Sequence, residues 1–105
     1  MVSQDKRYQV IISERAGEML IQHVRFLAQV STLAAEEFRI ELIEAAQSLQ
    51  EFPERGSWLG NPLLPPNKYR KLLVSKRYLL IYQVKGDSVY IDYILDCRQD
   101  YGWLV

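Results

Sequence analysis

YRKLLVSKRYLLIYQVKGDSVYIDYIL, residues 69–95, decides how this chain folds. Three runs within it, YRKLLV, RYLLIYQV and VYIDYIL, are dominated by Tyr, Val, Ile and Leu, which suit a half-buried pleated surface. The links between them, Ser75–Lys76 and the KGDS turn at Lys85–Ser88, are short enough for antiparallel hairpins. The stretch therefore predicts a three-stranded meander. Alternation along the first run puts Arg70, Leu72 and Val74 on one face and Tyr69, Lys71 and Leu73 on the other. At this level either face could be the covered one.

Upstream of the meander, residues 53–68 (PERGSWLGNPLLPPNK) hold four prolines and two glycines, which breaks helix and central strand alike and predicts a loop. Before it, Ala35, Phe38, Leu42, Ala45, Leu49 and Phe52 recur at helical spacing for about five turns. Pro53 ends that helix, because the residue before a proline resists the α region. Ser31 or Thr32 can cap its start. Ala16, Leu20, Val24 and Leu27 mark an earlier helix over about 14–29, with Ser13 as N-cap and Glu14 in the first turn. A break at Val30–Ser31 makes the two an antiparallel hairpin. Tyr8–Ile12 (YQVII) reads as an opening strand. The predicted fold class is α+β, in the order β-α-α-β-β-β, with a twisted antiparallel sheet and the helical hairpin on one face. The other face is left for function.

Length and composition agree. One domain spanning residues 1–105 can hold a core of its own. The chain is 49% hydrophobic and 25% charged, the balance of an ordinary globular protein. Its apolar runs are too short to span a membrane, and MVSQDKRYQV contains no apolar signal core, so a cytoplasmic location is expected. A single Cys and a single His build no zinc constellation, and no cofactor is expected. Cys97 reads as a small buried filler without activation, and a lone cysteine fits a reducing compartment. The net charge of zero hides a split: residues 1–54 hold five Lys/Arg against nine Asp/Glu, and residues 55–105 hold eight against four. That neutrality argues against strong nonspecific nucleic-acid binding, yet Lys68, Arg70, Lys71, Lys76 and Arg77, with no acid among them, can still make a local basic surface.

Four elements of the chain resemble the RelE/ParE superfamily of type II toxin–antitoxin toxins. They are the opening strand running into ISERA, the helical hairpin closing in LxxFPERG, the run YRKLLVSKRYLLIYQV, and the last strand entering an Arg-Xaa-Asp tail. The likeness covers nearly the whole chain. It implies an antitoxin partner whose C-terminal segment wraps the toxin, a possible homodimer or toxin–antitoxin hetero-oligomer, and plasmid stabilisation or growth arrest as the outcome. It also implies one of two targets: mRNA in the ribosome, cut by RelE-like members, or DNA gyrase, poisoned by ParE-like members.

By resemblance, Arg70 and Arg98 fall on the positions of basic catalytic or phosphate-binding residues in the cutters. Leu72 and Leu79 stand where those enzymes carry further cations, and Leu104 stands where a tail tyrosine is expected, with Tyr101 and Trp103 nearby but shifted. Metal-free attack by a 2′-hydroxyl needs clustered cations to hold the developing phosphorane charge, so two missing cations cost orders of magnitude in rate. These departures, and helices longer than a minimal cutter carries, favour the ParE-like branch. If the chain cuts RNA, Arg70 and Arg98 would stabilise charge, Lys71 would position phosphate and Tyr101 would move a proton or stack on a base. An inactive relative kept for partner binding is the third possibility.

Simpler readings compete at each position. Lys68, Arg70, Lys71, Lys76 and Arg77 can be a solvated strand edge that discourages aggregation. Arg98 with Asp96 and Asp100 can be an ion-pair knot closing the C-terminus. His23 reads as a surface or half-buried helix residue. Most tyrosines of the meander are packing, with one or two free to stack on a base or anchor a partner. Trp58, Leu59, Leu63 and Leu64 either tuck under the helices or await a partner.

Overall fold

Ser13 turns an extended chain into a helix: its Oγ accepts from the backbone N–H of Ala16 at 3.0 Å while its own backbone stays extended. In the computed structural model, which describes residues 7–60, 62–63 and 65–97, β1 (Gln9–Ile12) leads through this cap into α1 (Glu14–Val30). Ser31 alone makes the helix–helix link. It ends α1 by donating its N–H to Leu27, and its Oγ then accepts from Ala34 N–H at 3.1 Å to start α2 (Thr32–Ser48). One extended residue serving as both caps reverses the chain within a single step, which is why the hairpin is tight.

α2 stops short of the predicted end. Leu49 is its C-cap, and the i−3 bonds from Leu49 to Ala46 and from Gln50 to Gln47 tighten the exit. The core side of α2 is Ala35, Phe38, Leu42, Ala46 and Leu49. Ala46 takes the buried place expected for Ala45, which is half-buried, and Phe52 has left the helix and is 61% exposed. The cause lies at Pro53, whose carbonyl is held from the sheet side and pulls the chain off the helical path.

The sheet contains β2 (Ser57–Trp58), β3 (Arg70–Val74), β4 (Tyr78–Lys85) and β5 (Ser88–Asp96) beside β1, in the order β1-β5-β4-β3-β2. The α+β class and the hairpin-on-sheet order are as expected. The sheet differs from the all-antiparallel expectation in one pairing: β1 runs parallel to β5, Gln9 to Ser88 through Ile12 to Ile91, so the sheet is mixed. The hairpin carries the chain back across one face, and the three later strands alternate so that the last matches the direction of the first. β2 is an addition inside the proline-rich loop, paired antiparallel with Lys71 and Arg70.

Val74, Tyr78, Leu80, Tyr82, Val89, Ile91 and Ile94 point at the helices and join Phe38, Leu42 and Leu49 in the core. The Arg70–Leu72–Val74 side of β3 therefore faces the hairpin, and the Tyr69–Lys71–Leu73 side is the outer face. Burying Leu42 completely contributes about 1.5–3 kcal/mol. A bulge between Ile81 and Tyr82 shifts the β4–β5 register and places Asp92 outside the regular pairing.

Both hairpin turns need left-handed backbone. Gly86 supplies φ 58 without a Cβ, but the β3–β4 turn does the same with Ser75 at φ 56 and Lys76 at φ 68. Two consecutive non-glycine residues in this region are strained. Ser75→Asn with Lys76→Gly is expected to raise stability by about 1 kcal/mol, read as a higher urea midpoint at constant m. Ser75 also donates its Oγ–H to the Glu41 carboxylate, so a smaller gain measures that contact.

Candidate functional site

Four places carry the polar and aromatic chemistry. The first is a clamp built by FPERG. The Tyr82 hydroxyl is buried between two backbone groups, donating to Pro53 O at 2.8 Å and accepting from Gly56 N–H at 2.9 Å. Burial raises the Tyr82 pKa above the ordinary tyrosine value, partly offset by the Gly56 N–H bond and nearby arginines. Gly56 lies so close that a Cβ there would stand 2.7 Å from both Lys71 O and Tyr82 Oη. Arg70 closes the clamp from the sheet. Its guanidinium lies 3.8 Å over the Trp58 ring and donates to Gly56 O at 2.7 Å and Glu54 O at 3.3 Å. Trp58 itself is 45% exposed, so it neither tucks under the helices nor stands alone.

The second place is the flank of β5. Pairing with β1 stops at Ile91, so the following carbonyls of β5 have no strand partner on that side. α1 supplies one. Ser13 Oγ reaches Asp92 O at 3.4 Å, and the His23 ring donates from Nε2 to Ile94 O at 2.7 Å. The half-buried His23 ring also packs on Tyr78, at 5.1 Å between centroids, and edge-on to Phe38. His23 is an edge cap, blocking strand addition where the sheet would otherwise be open. His23→Ala is expected to cost about 1–2 kcal/mol, and His23→Gln, which keeps a donor, less. Thermal melts of both variants check this.

The third place is the outer face of the sheet. Tyr69, Gln83, Asp92 and Tyr93 form a polar group there: Gln83 Nε2 donates to Asp92 Oδ2 at 2.7 Å, Tyr69 hydrogen-bonds with Gln83, and Arg15 donates to Tyr93 Oη. Desolvation raises the Tyr69 pKa, with Asp92 adding to it. Leu73, 57% exposed, lies at the far end of this face. Gln83, Asp92 and Arg15 were not singled out from sequence. Alternation along RYLLIYQV and YIDY could have placed Gln83 and Asp92 on one face, but the β5 bulge shifts that alternation, and nothing local points to Arg15.

The fourth place is a cleft of ≈ 210 Å³ between the hairpin tip and the β3–β4 turn, lined by Glu37, Glu41, Ser75 and Arg77 over Phe38 and Tyr78. A larger open groove of ≈ 710 Å³ lies at the other end, along Tyr8, Phe52, Pro53 and Arg55.

The five basic residues of 68–77 do not form one surface. Arg70 faces the clamp, Lys71 is half-buried on the outer face, Lys68 is exposed over the Tyr69 ring, and Lys76 and Arg77 are exposed at the opposite end of β3. Leu72 packs toward the core and Leu79 lies on the outer face. Arg98, Asp100, Tyr101, Trp103 and Leu104 lie outside the described residues, as does Leu64; Asp96, the remaining member of the expected ion-pair knot, is buried. Cys97 is exposed rather than a buried filler, because β5 ends just before it. Desolvation, and then Asp96, hold its thiol above the usual range, so it is a weak nucleophile. Among the described residues no group of three or more His, Cys, Asp or Glu could hold a metal ion, and no helix is long and apolar enough to cross a membrane.

A chain of the chromosomal ParDE toxin–antitoxin system from P. aeruginosa has a similar structure, with a TM-score of 0.67 at 18% identity over 87% of this chain and 97% of that one. At that identity the likeness concerns the fold. No curated protein matches the sequence. Residues 10–101 match the family described as ParE toxin of type II toxin–antitoxin system, parDE, nearly the whole length from β1 past β5. The chain belongs to the ParE toxin family of type II toxin–antitoxin systems.

Proposed function

We propose that this chain arrests growth by inhibiting DNA gyrase and is held inactive by a cognate antitoxin. One observation favours gyrase over mRNA cutting: the basic residues of 68–77 are divided between two faces and two ends of β3, and the Arg70 guanidinium is already engaged by Trp58 and two carbonyls. A metal-free ribonuclease needs its cations converging on one phosphate. Two leucines, Leu72 and Leu79, stand where the cutters carry more of them.

The surface that suits the antitoxin is the outer side of the hairpin and the groove at its base. Ile21, Phe26, Val30, Leu33 and Ile40 are exposed at various points along the two helices, and Phe52 opens the groove beside Pro53. An apolar surface on the acidic half of the chain fits an amphipathic segment with basic flanks. Induced expression in bacteria tests the proposal. Loss of colony formation with relaxed plasmid DNA is the expected result. Arrest with fresh mRNA 5′ ends inside codons would instead establish ribosome-dependent cleavage, and unimpaired growth would leave a partner-binding module without toxicity.

A further inference from the structure

We propose that the outer face of the sheet binds single-stranded nucleic acid, with bases stacking on Tyr69, Tyr90 and Tyr93. This surface is on the opposite side of the sheet from the helical hairpin, and the inference does not rest on the antitoxin or gyrase readings.

The strand register assembles it. One step beyond the Arg70–Tyr82 pair, Tyr69 meets Gln83 and hydrogen-bonds with it, and Gln83 in turn pairs with Tyr90. Tyr93 follows in the next row, opposite Ile81. All three rings are half-buried and set into the face. Each has a cation of this chain beside it: Lys68 Nζ is 5.4 Å from the Tyr69 centroid, the Arg15 guanidinium 4.9 Å from Tyr93, and Lys85 Nζ 5.9 Å from Tyr90. Lys68, Arg15 and Lys85 are exposed, so each can swing to a phosphate while a base takes its place on the ring. Rings interleaved with exposed cations are what a single strand requires, a π surface for the base and a positive charge for the backbone.

Between the rings lies one carboxylate, Asp92, fixed by the Gln83 amide at 2.7 Å. Asp92 repels phosphate but accepts from the exocyclic amine of a base. The face should therefore prefer cytosine over thymine or uracil. A duplex fits poorly, because its bases are already stacked on each other. A protein partner is the weaker reading, since three tyrosine–cation pairs give no deep apolar pocket for an anchor residue.

Fluorescence anisotropy tests the proposal with the purified full chain and short labelled oligo-dC, oligo-dT, their RNA counterparts and a duplex. Single strands should bind in a salt-dependent way, cytosine tighter than thymine. Tyr90→Leu should weaken binding about tenfold, and Lys85→Glu should flatten the salt dependence, both with unchanged circular dichroism. Equal binding of DNA and RNA is compatible with stacking, and a preference for RNA adds a 2′-hydroxyl contact. Duplex binding as tight as single-strand binding, indifference to both variants, or no binding at low salt would overturn it, the last reassigning the face to a protein partner.

Discussion

Gly56→Ala is expected to destabilise the chain by about 2–3 kcal/mol, while Gly60→Ala, four residues on in the same loop, stays within about 0.5 kcal/mol. The added Cβ at Gly56 meets Lys71 O and Tyr82 Oη, each 2.7 Å away, whereas at Gly60 no atom of the other described residues lies within 4 Å. Neither obstacle at Gly56 can yield cheaply. Lys71 O belongs to β3, and Tyr82 Oη is fixed by two hydrogen bonds. Against a total stability of about 5–15 kcal/mol for a small domain, the loss shows as a melting temperature lowered by about 10 °C or more. Tyr82→Phe tests the other half of the clamp. It leaves the Pro53 carbonyl and the Gly56 N–H without their partner and should cost about 2 kcal/mol. Because Tyr82 holds its proton more tightly folded than unfolded, its contribution is fully present below the unfolded tyrosine pKa and is lost as the pH rises through the folded value. Alkaline destabilisation above about pH 10 should therefore be shallower in Tyr82→Phe.

Arg70→Lys is expected to be nearly as damaging as Arg70→Ala, each costing about 1–3 kcal/mol. Lysine keeps the charge but cannot lie flat on Trp58 at 3.8 Å while donating to two carbonyls. If Arg70 acts through this staple, loss of toxicity in the two variants should track the fall in melting temperature and return when the assay is cooled. If Arg70 instead touches phosphate, Arg70→Ala should abolish activity with the melt unchanged and Arg70→Lys should retain part of it.

Much of this fold was legible because local signals agreed. Ser13 and Ser31 are serines before apolar helical stripes, and both cap as such residues should. The meander has short links and alternating apolar residues. What escaped was long-range. The parallel pairing of β1 with β5 depends on where a hairpin of two helices returns the chain. β2 has two residues, too few for a pattern to register. The end of α2 was misplaced because Phe52 continues the apolar rhythm, yet a clamp from Tyr82, 29 residues away, takes Pro53 out of line.

The candidate site was legible in its residue types and less so in its geometry. Five cations within ten residues read as one surface, but a strand sends neighbours to opposite faces, and Arg70 and Lys71 part company accordingly. His23 reads as a surface or half-buried helix residue and is half-buried on α1; that it closes the β5 flank is visible only once β1 is seen to stop at Ile91. Arg15 reaches Tyr93 across 78 positions of sequence, which no local pattern announces.

Gyrase supercoiling of relaxed plasmid, in the presence of the purified chain, is the measurement that bears most directly on function. Inhibition with rising toxin, together with linear DNA released after protein removal, is the predicted result. Full supercoiling at molar excess of a correctly folded chain would contradict it.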